Sequence, residues 1–281
     1  MIDPADPDQL SKLLHRHRID LKKSLGQNFL IDPALRDRIA EAPGVTGEDD
    51  VLEVGAGAGA LTVALAQRCR RLVAVELDHR FIPVLHEVVG AFPNVEIVQS
   101  DILRLDQAQK FPNGGHIVAG NIPYNLTGAL IRKLLDTSPR PHRLSLVVQK
   151  EVAERWTATG GASLATVAVQ VFATANLRFT IPASAFTPAP RVDSACVVLE
   201  VRERPAVDVP DLDAFFRLVE AVFQFRRKQL GGALGRISGI GSTSAAARLR
   251  ESGIDPERRP QTLTLGEGEA VYREFNARPS R

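Results

Sequence analysis

Cysteine is scarce in this chain. Its 281 residues hold two, Cys69 and Cys196, far apart and in no Cys-x-x-Cys pair. That spacing argues against both a disulfide framework and a zinc site and points to a reducing compartment, the cytoplasm. Long apolar runs are missing as well. None approaches the roughly 20 residues that cross a bilayer, so no membrane partner is expected. The opening MIDPADPDQL is acidic and broken by prolines, the wrong character for a secretory signal. No internal repeat or low-complexity segment stands out. Charge of one sign is not in large excess either: the formal net charge is +2. The positive residues concentrate in KLLHRHRIDLKK near the N-terminus and FRRK near the C-terminus. Two such clusters favour a polyanionic partner.

What the chain does have is ordinary globular composition, 44% hydrophobic and 24% charged, and length for one large domain with a small appendage. From about residue 50 short apolar runs alternate with helical patterns. VLEV (51–54), LVAVE (72–76), VEIV (95–98), HIVAG (116–120) and LSLVVQ (144–149) read as buried parallel strands. LTVALAQRC, RFIPVLHEVV and LTGALIRKLL read as the helices between them. TVAVQVFATANLRFTI and SACVVLEV read as two further strands with no helix of any length between them. The expectation is an α/β doubly wound sheet, mostly parallel, with a final antiparallel hairpin. Beyond EVRERPAVDVP, from about residue 211, helical periodicity takes over. The expected domains are an N-terminal extension (1–20), an α/β domain (21–207) and a small helical domain (208–281).

Gly55, Gly57 and Gly59 in VLEVGAGAGALT allow a tight strand-to-helix turn and close backbone approach to a ligand. Glu76 closes the next strand, where a carboxylate can accept both hydroxyls of a ribose. By themselves these features also fit a dinucleotide, since Gly55-x-Gly57-x-x-Ala60 is followed by an acid about 20 residues on. Asp101, in QSDIL, ends the third strand, placed to accept from an adenine amino group. Asn121, in AGNIPYNLTGALI, ends the fourth. Ligands of open α/β sheets bind outside the carboxyl ends of the strands. Gly55, Glu76, Asp101 and Asn121 fall there, one per successive strand, which suits S-adenosylmethionine better than NAD.

KKSLGQNFL, LEVGAGAGALT, VAVELD, SDIL, GNIPYN, VVQKEVAER, FTPAPRVDSA and FRRKQL resemble, in the same order, the motifs of the ribosomal RNA adenine N6-dimethyltransferases. The resemblance covers nearly the whole chain from Leu21, and RVDSA, FRRKQL and ERRPQTL favour the small-subunit branch. It implies a Rossmann-like class I S-adenosylmethionine methyltransferase sheet, with S-adenosylhomocysteine as product and no metal. It also implies that the SLGQNFL segment covers the cofactor. That adds Gln27, Asn28 and Leu30 to Gly55, Gly57, Glu76, Asp101 and Asn121 as expected contacts.

The chemistry expected of the Asn-Ile-Pro-Tyr turn follows. The side-chain carbonyl of Asn121 and the backbone carbonyl of Ile122 accept the N–H bonds of an adenine N6. Pro123 holds the turn, and Tyr124 stacks on the base, which must leave its own stack to react. Phe186 is a candidate for the opposite face of the base or for the pocket wall, packing of the sheet edge being the alternative. The implied substrate is a pair of adjacent adenosines in the 3′-terminal hairpin loop of 16S rRNA, dimethylated within an immature 30S subunit by a monomeric enzyme. Lys22, Lys23, Arg226, Arg227 and Lys228 are candidate phosphate contacts. The competing readings are methylation of 23S rRNA of the macrolide-resistance type, a mainly non-catalytic ribosome assembly factor, and an NAD oxidoreductase, which has no use for the NIPY turn.

Overall fold

The computed structural model describes residues 2–21, 28–124, 126–136, 138–158, 160 and 163–276. The chain forms two compact units, Met1–Thr157 with Thr174–Val201, and Ala158–Ala173 with Arg202–Arg281.

The first unit begins with α1 (Pro7–Arg16), where the Asp6 side chain accepts from the Gln9 N–H and Pro7 takes the first helical position. Its buried Leu10 and Leu13 pack with Phe81, Val84 and Val88, and Arg16 and His17 both pair with Glu87. The stretch expected as an extension is therefore built into this unit. After it come β1 (Phe29–Leu30), α2 (Pro33–Glu41), β2 (Asp50–Val54), α3 (Ala60–Ala66), β3 (Arg71–Glu76), α4 (Ile82–Val89) and β4 (Val95–Gln99). α5 (Gln107–Lys110), β5 (Ile117–Asn121), α6 (Thr127–Asp136), β6 (Arg143–Gln149) and α7 (Lys150–Thr157) follow. After α8 (Leu164–Phe172), which belongs to the second unit, the sheet is completed by β7 (Ala173–Ile181), β8 (Phe186–Thr187) and β9 (Ser194–Val201).

The main sheet has the order β4-β3-β2-β5-β6-β9-β7. β4, β3, β2, β5 and β6 run parallel, and β9 is antiparallel to β6. The order reverses between β2 and β5, which opens a crevice at their carboxyl ends. Val51, Leu52 and Val54 of β2 and Leu72 to Val75 of β3 are buried, as expected where helices cover both faces of a parallel sheet. The step from β7 to β9 is no tight turn. It carries β8, which pairs antiparallel with β1 in the register Phe29↔Thr187 and Leu30↔Phe186. The Ile31 N–H adds a bond to the Ala185 carbonyl at 2.8 Å. This pairing fastens the N-terminal segment to the site end of the sheet.

One strand expectation is corrected. The run TVAVQVFATANLRFTI is a helix, α8, followed by β7. The Ser163 side chain caps α8 by accepting from the Thr166 N–H, and Thr166 to Val169, Val171 and Phe172 are buried. An apolar run buried all round carries no period to separate helix from strand, so its β-branched residues mislead. The domain boundary shifts for the same reason: α8 belongs with α9 (Leu212–Phe223), α10 (Leu230–Ile237), α11 (Ser242–Glu251) and α12 (Leu265–Asn276), and the chain passes into this second unit twice. There Phe172 stacks on Phe216 at 5.7 Å between ring centroids. A separate core gathers Val222, Leu230, Leu234, Leu249, Ile254 and Val271.

β2 and β5 approach closely beside the site, where a Cβ on Gly120 would lie 2.5 Å from the Val54 carbonyl oxygen. Gly120→Ala is expected to lower unfolding free energy by about 1–3 kcal/mol, as overpacked cores do. Urea unfolding should show this as a lower midpoint; a midpoint equal to wild type would mean that β2 and β5 part freely.

Candidate active site

The turn after β2 is held from two sides. Gly55 and Gly57 have φ of 74° and 56°, a left-handed backbone that side chains disfavour. A Cβ on Gly57 would also meet the Phe29 ring at 3.0 Å. The Gly57 N–H donates to Glu76 Oε2 at 2.7 Å, and the Asp78 N–H donates to Glu76 Oε1 at 2.8 Å. Burial raises the Glu76 pKa above the usual carboxylate value, and these backbone donors oppose the rise. The carboxylate, with two oxygens and about four lone pairs, keeps acceptor capacity for a ligand.

The remaining strand ends complete the ring. Asp101 follows β4, and its Oδ1 accepts from the Leu103 N–H at 2.9 Å. At the end of β5, Asn121 Nδ2 donates to the Asn28 carbonyl at 2.8 Å. Only the NH2 end of an amide can donate, so this bond sets the orientation of the side chain and leaves Oδ1 as an acceptor. Beyond it the turn is tied to the sheet by the Ile122 N–H to the Val147 carbonyl at 3.1 Å, and closed by the Leu126 N–H to the Pro123 carbonyl at 2.8 Å.

These groups surround a cavity of about 590 Å³, within the usual range for small-molecule and cofactor sites. Asn28, Leu30, Gly55, Gly57, Glu76, Asp101, Asn121, Ile122, Pro123 and Phe186 all line it. Phe186 is buried and forms part of the wall while its backbone pairs with Leu30. Tyr124 follows Pro123 without lining the cavity; it is half-buried, and its hydroxyl is 2.8 Å from Ser194 Oγ. Arg226, Arg227 and Lys228 are exposed on the turn after α9, in the second unit. Lys22, Lys23 and Gln27 lie outside the described residues. Among the described residues, no group of three or more His, Cys, Asp or Glu side chains is placed to hold a metal, and no helix is long and apolar enough to cross a membrane.

Sequence reading passed over several wall residues. Phe29, Phe81, Ile102 and Leu103 line the cavity too, but an apolar residue in an apolar segment carries no mark of a ligand. Glu53 did carry one, as a carboxylic acid inside the run VLEV. It lines the cavity, is 1% exposed, and its Oε2 has no hydrogen-bond partner. Burial pushes its pKa up to about 8, with the neighbouring charge of Glu76 adding to the rise.

Residues 18–269 match the model of a family described as ribosomal RNA adenine dimethylase. The chain is 40% identical over 273 residues to the ribosomal RNA small subunit methyltransferase A of Shouchella clausii, covering 93% of this chain and 92% of the relative. Identity to the protein of the same name from Pelotomaculum thermopropionicum is 41% over 290 residues, covering 98% of each. Among solved structures, a dimethyladenosine transferase from Plasmodium falciparum is similar at a TM-score of 0.71 and 25% identity, covering 88% of this chain and 97% of that one. The 23S rRNA methyltransferase ErmE is similar at a TM-score of 0.68 and 27% identity, covering 89% of this chain and all of its own.

The state of Glu53 is testable through stability. Folded, it keeps its proton to about pH 8, against an ordinary value of 4.5. Between those values the folded chain binds more protons than the unfolded one, so stability falls as pH rises from about 4.5 to about 8 and then levels. Relative to Glu53→Gln, the wild type should lose on the order of 4 kcal/mol across that window. Chemical denaturation at pH 5 and pH 8 reads the difference; parallel pH profiles would place an ionised carboxylate in the wild-type cavity.

Proposed function

This chain belongs to the ribosomal RNA adenine dimethylase family, and we propose that it transfers methyl groups from S-adenosylmethionine to N6 of two adjacent adenosines in the 3′-terminal hairpin loop of 16S rRNA. On this reading it acts as a monomer on an immature 30S subunit in the cytoplasm. The observation that carries the proposal is the orientation of Asn121, a cavity-lining residue: its NH2 end is engaged by the Asn28 carbonyl, which leaves its carbonyl oxygen as an acceptor. Near full-length similarity to small subunit methyltransferases supports 16S rRNA as the target.

The donor set fits the cofactor. Glu76, steadied by the N–H groups of Gly57 and Asp78, has lone pairs to accept from ribose hydroxyls. Asp101 has Oδ2 to accept from an adenine amino group. Gly55 and Gly57 let backbone come close to the ligand, and Asn28 and Leu30 close the cavity from the N-terminal side. When bound, S-adenosylmethionine supplies a methyl group activated by its sulfonium.

The acceptor is the harder partner. The N6 lone pair of adenine is delocalised into the ring while the amine stays planar. Asn121 Oδ1 and the Ile122 carbonyl accept its two N–H bonds, which favours the pyramidal amine and directs its lone pair at the methyl. In-line placement of the reactants then supplies much of the acceleration. The methylated amine gives up its proton readily to solvent, so no strong base is required. Pro123 restrains the backbone that presents the Ile122 carbonyl. Tyr124 stacks on the extruded base, an interaction worth about 1–3 kcal/mol, and Phe186 forms the wall. Loop adenines suit such a site because they unstack at little cost. Arg226, Arg227 and Lys228 contact phosphates, with Lys22 and Lys23 in the same role.

Incubation with labelled cofactor and each unmethylated ribosomal subunit, followed by mapping of the modified base, tests the proposal. Label at adjacent adenosines near the 3′ end of 16S rRNA is the expected result; label confined to 23S rRNA would move the target to the large subunit. Asn121→Ala should reduce kcat about 100-fold or more without loss of the folded state by circular dichroism. Near wild-type turnover in that variant would remove Asn121 from the chemistry.

A further inference from the structure

Tyr124 is joined to its backbone by freely rotating bonds and sits on a turn, yet a stacking ring has to meet the base in one orientation. The structure supplies a restraint at the far end of the ring. The Tyr124 hydroxyl and Ser194 Oγ are 2.8 Å apart. Ser194 is wholly buried, the first residue of β9, and pairs across to Gln149 of β6. The residue before it is equally tied: the Asp193 carbonyl accepts from the Lys150 N–H at 3.0 Å, and its carboxylate accepts from the Ala183 N–H at 3.0 Å. The backbone that carries the serine hydroxyl is thus fixed to the sheet, by its own pairing and by the bonds of Asp193. With Cα held by the turn and the phenol held by Ser194, the long axis of the ring is set, and its faces are left only the rotation about that axis.

We propose that Ser194 is a positioning residue for methyl transfer, tethering Tyr124 in the orientation that receives the adenine; this rests on the reading that Tyr124 stacks on the base. The tether acts on how often the bound adenine sits in reach of the methyl, and not on cofactor affinity. Removing it lets the ring sample other rotamers while the RNA stays bound.

The experiment is a double-mutant cycle on the subunit that the labelling assay identifies, with kcat and both KM values measured. Ser194→Ala and Tyr124→Phe should each lower kcat about 3- to 10-fold, the equivalent of one neutral hydrogen bond. The KM for S-adenosylmethionine should not change. The double variant should be no slower than either single one, because both delete the same bond. Ser194→Thr, which keeps the hydroxyl, should restore most of the rate. Effects that multiply in the double variant would overturn the tether and leave Ser194 a packing residue. Tyr124→Ala separates the two ideas. Loss of activity there, with Ser194→Ala and Tyr124→Phe both at wild-type rate, defeats the tether alone. Full activity in Tyr124→Ala defeats the stacking reading and the tether with it.

Discussion

The bond from Asn121 Nδ2 to the Asn28 carbonyl joins two parts of the chain that the sequence keeps 93 residues apart. Asn121 stands at the end of β5, where the strand order reverses and the crevice opens. Asn28 leads into β1, which is fixed by its ladder to β8. An amide with both ends free can present either a donor or an acceptor to its surroundings. Here one end is committed to a backbone carbonyl, so the other is an acceptor by necessity. The same bond holds Asn28, which lines the cavity, against the end of β5.

The cavity is also a place where carboxylates are expensive to keep. Glu53 and Glu76 share it, and burial raises both pKa values. They are treated differently by their neighbours. Glu76 receives backbone N–H donors from the glycine turn and from Asp78, which favour the charged form. Glu53 has an oxygen with no partner and holds its proton to about pH 8. The glycine turn supplies the Gly57 N–H donor that keeps Glu76 in place.

Much of this was legible along the chain. The alternation of short apolar runs with helical patterns pointed to the parallel sheet, and the residues picked at successive strand ends line one cavity. Gly55, Glu76, Asp101 and Asn121 are readable because strand-end position and residue type together are informative. The helix at Leu164–Phe172 was not readable, since a segment buried all round loses its period and its β-branched residues point the wrong way. Nor was its membership of the second unit, which depends on Phe172 meeting Phe216, a partner distant in sequence.

By itself, the sequence determined which residues end the strands, where the chain must turn tightly, and which chemistry the turn after β5 can offer. These are local properties, settled by periodicity, by backbone freedom at glycine and by side-chain donors and acceptors. Only the tertiary structure decided that the NH2 end of Asn121 is spent on Asn28, that burial raises the Glu53 pKa, and that the Tyr124 hydroxyl meets Ser194. Each of those depends on a contact between segments far apart in the chain or on the depth of burial, and neither is encoded in any short stretch of residues.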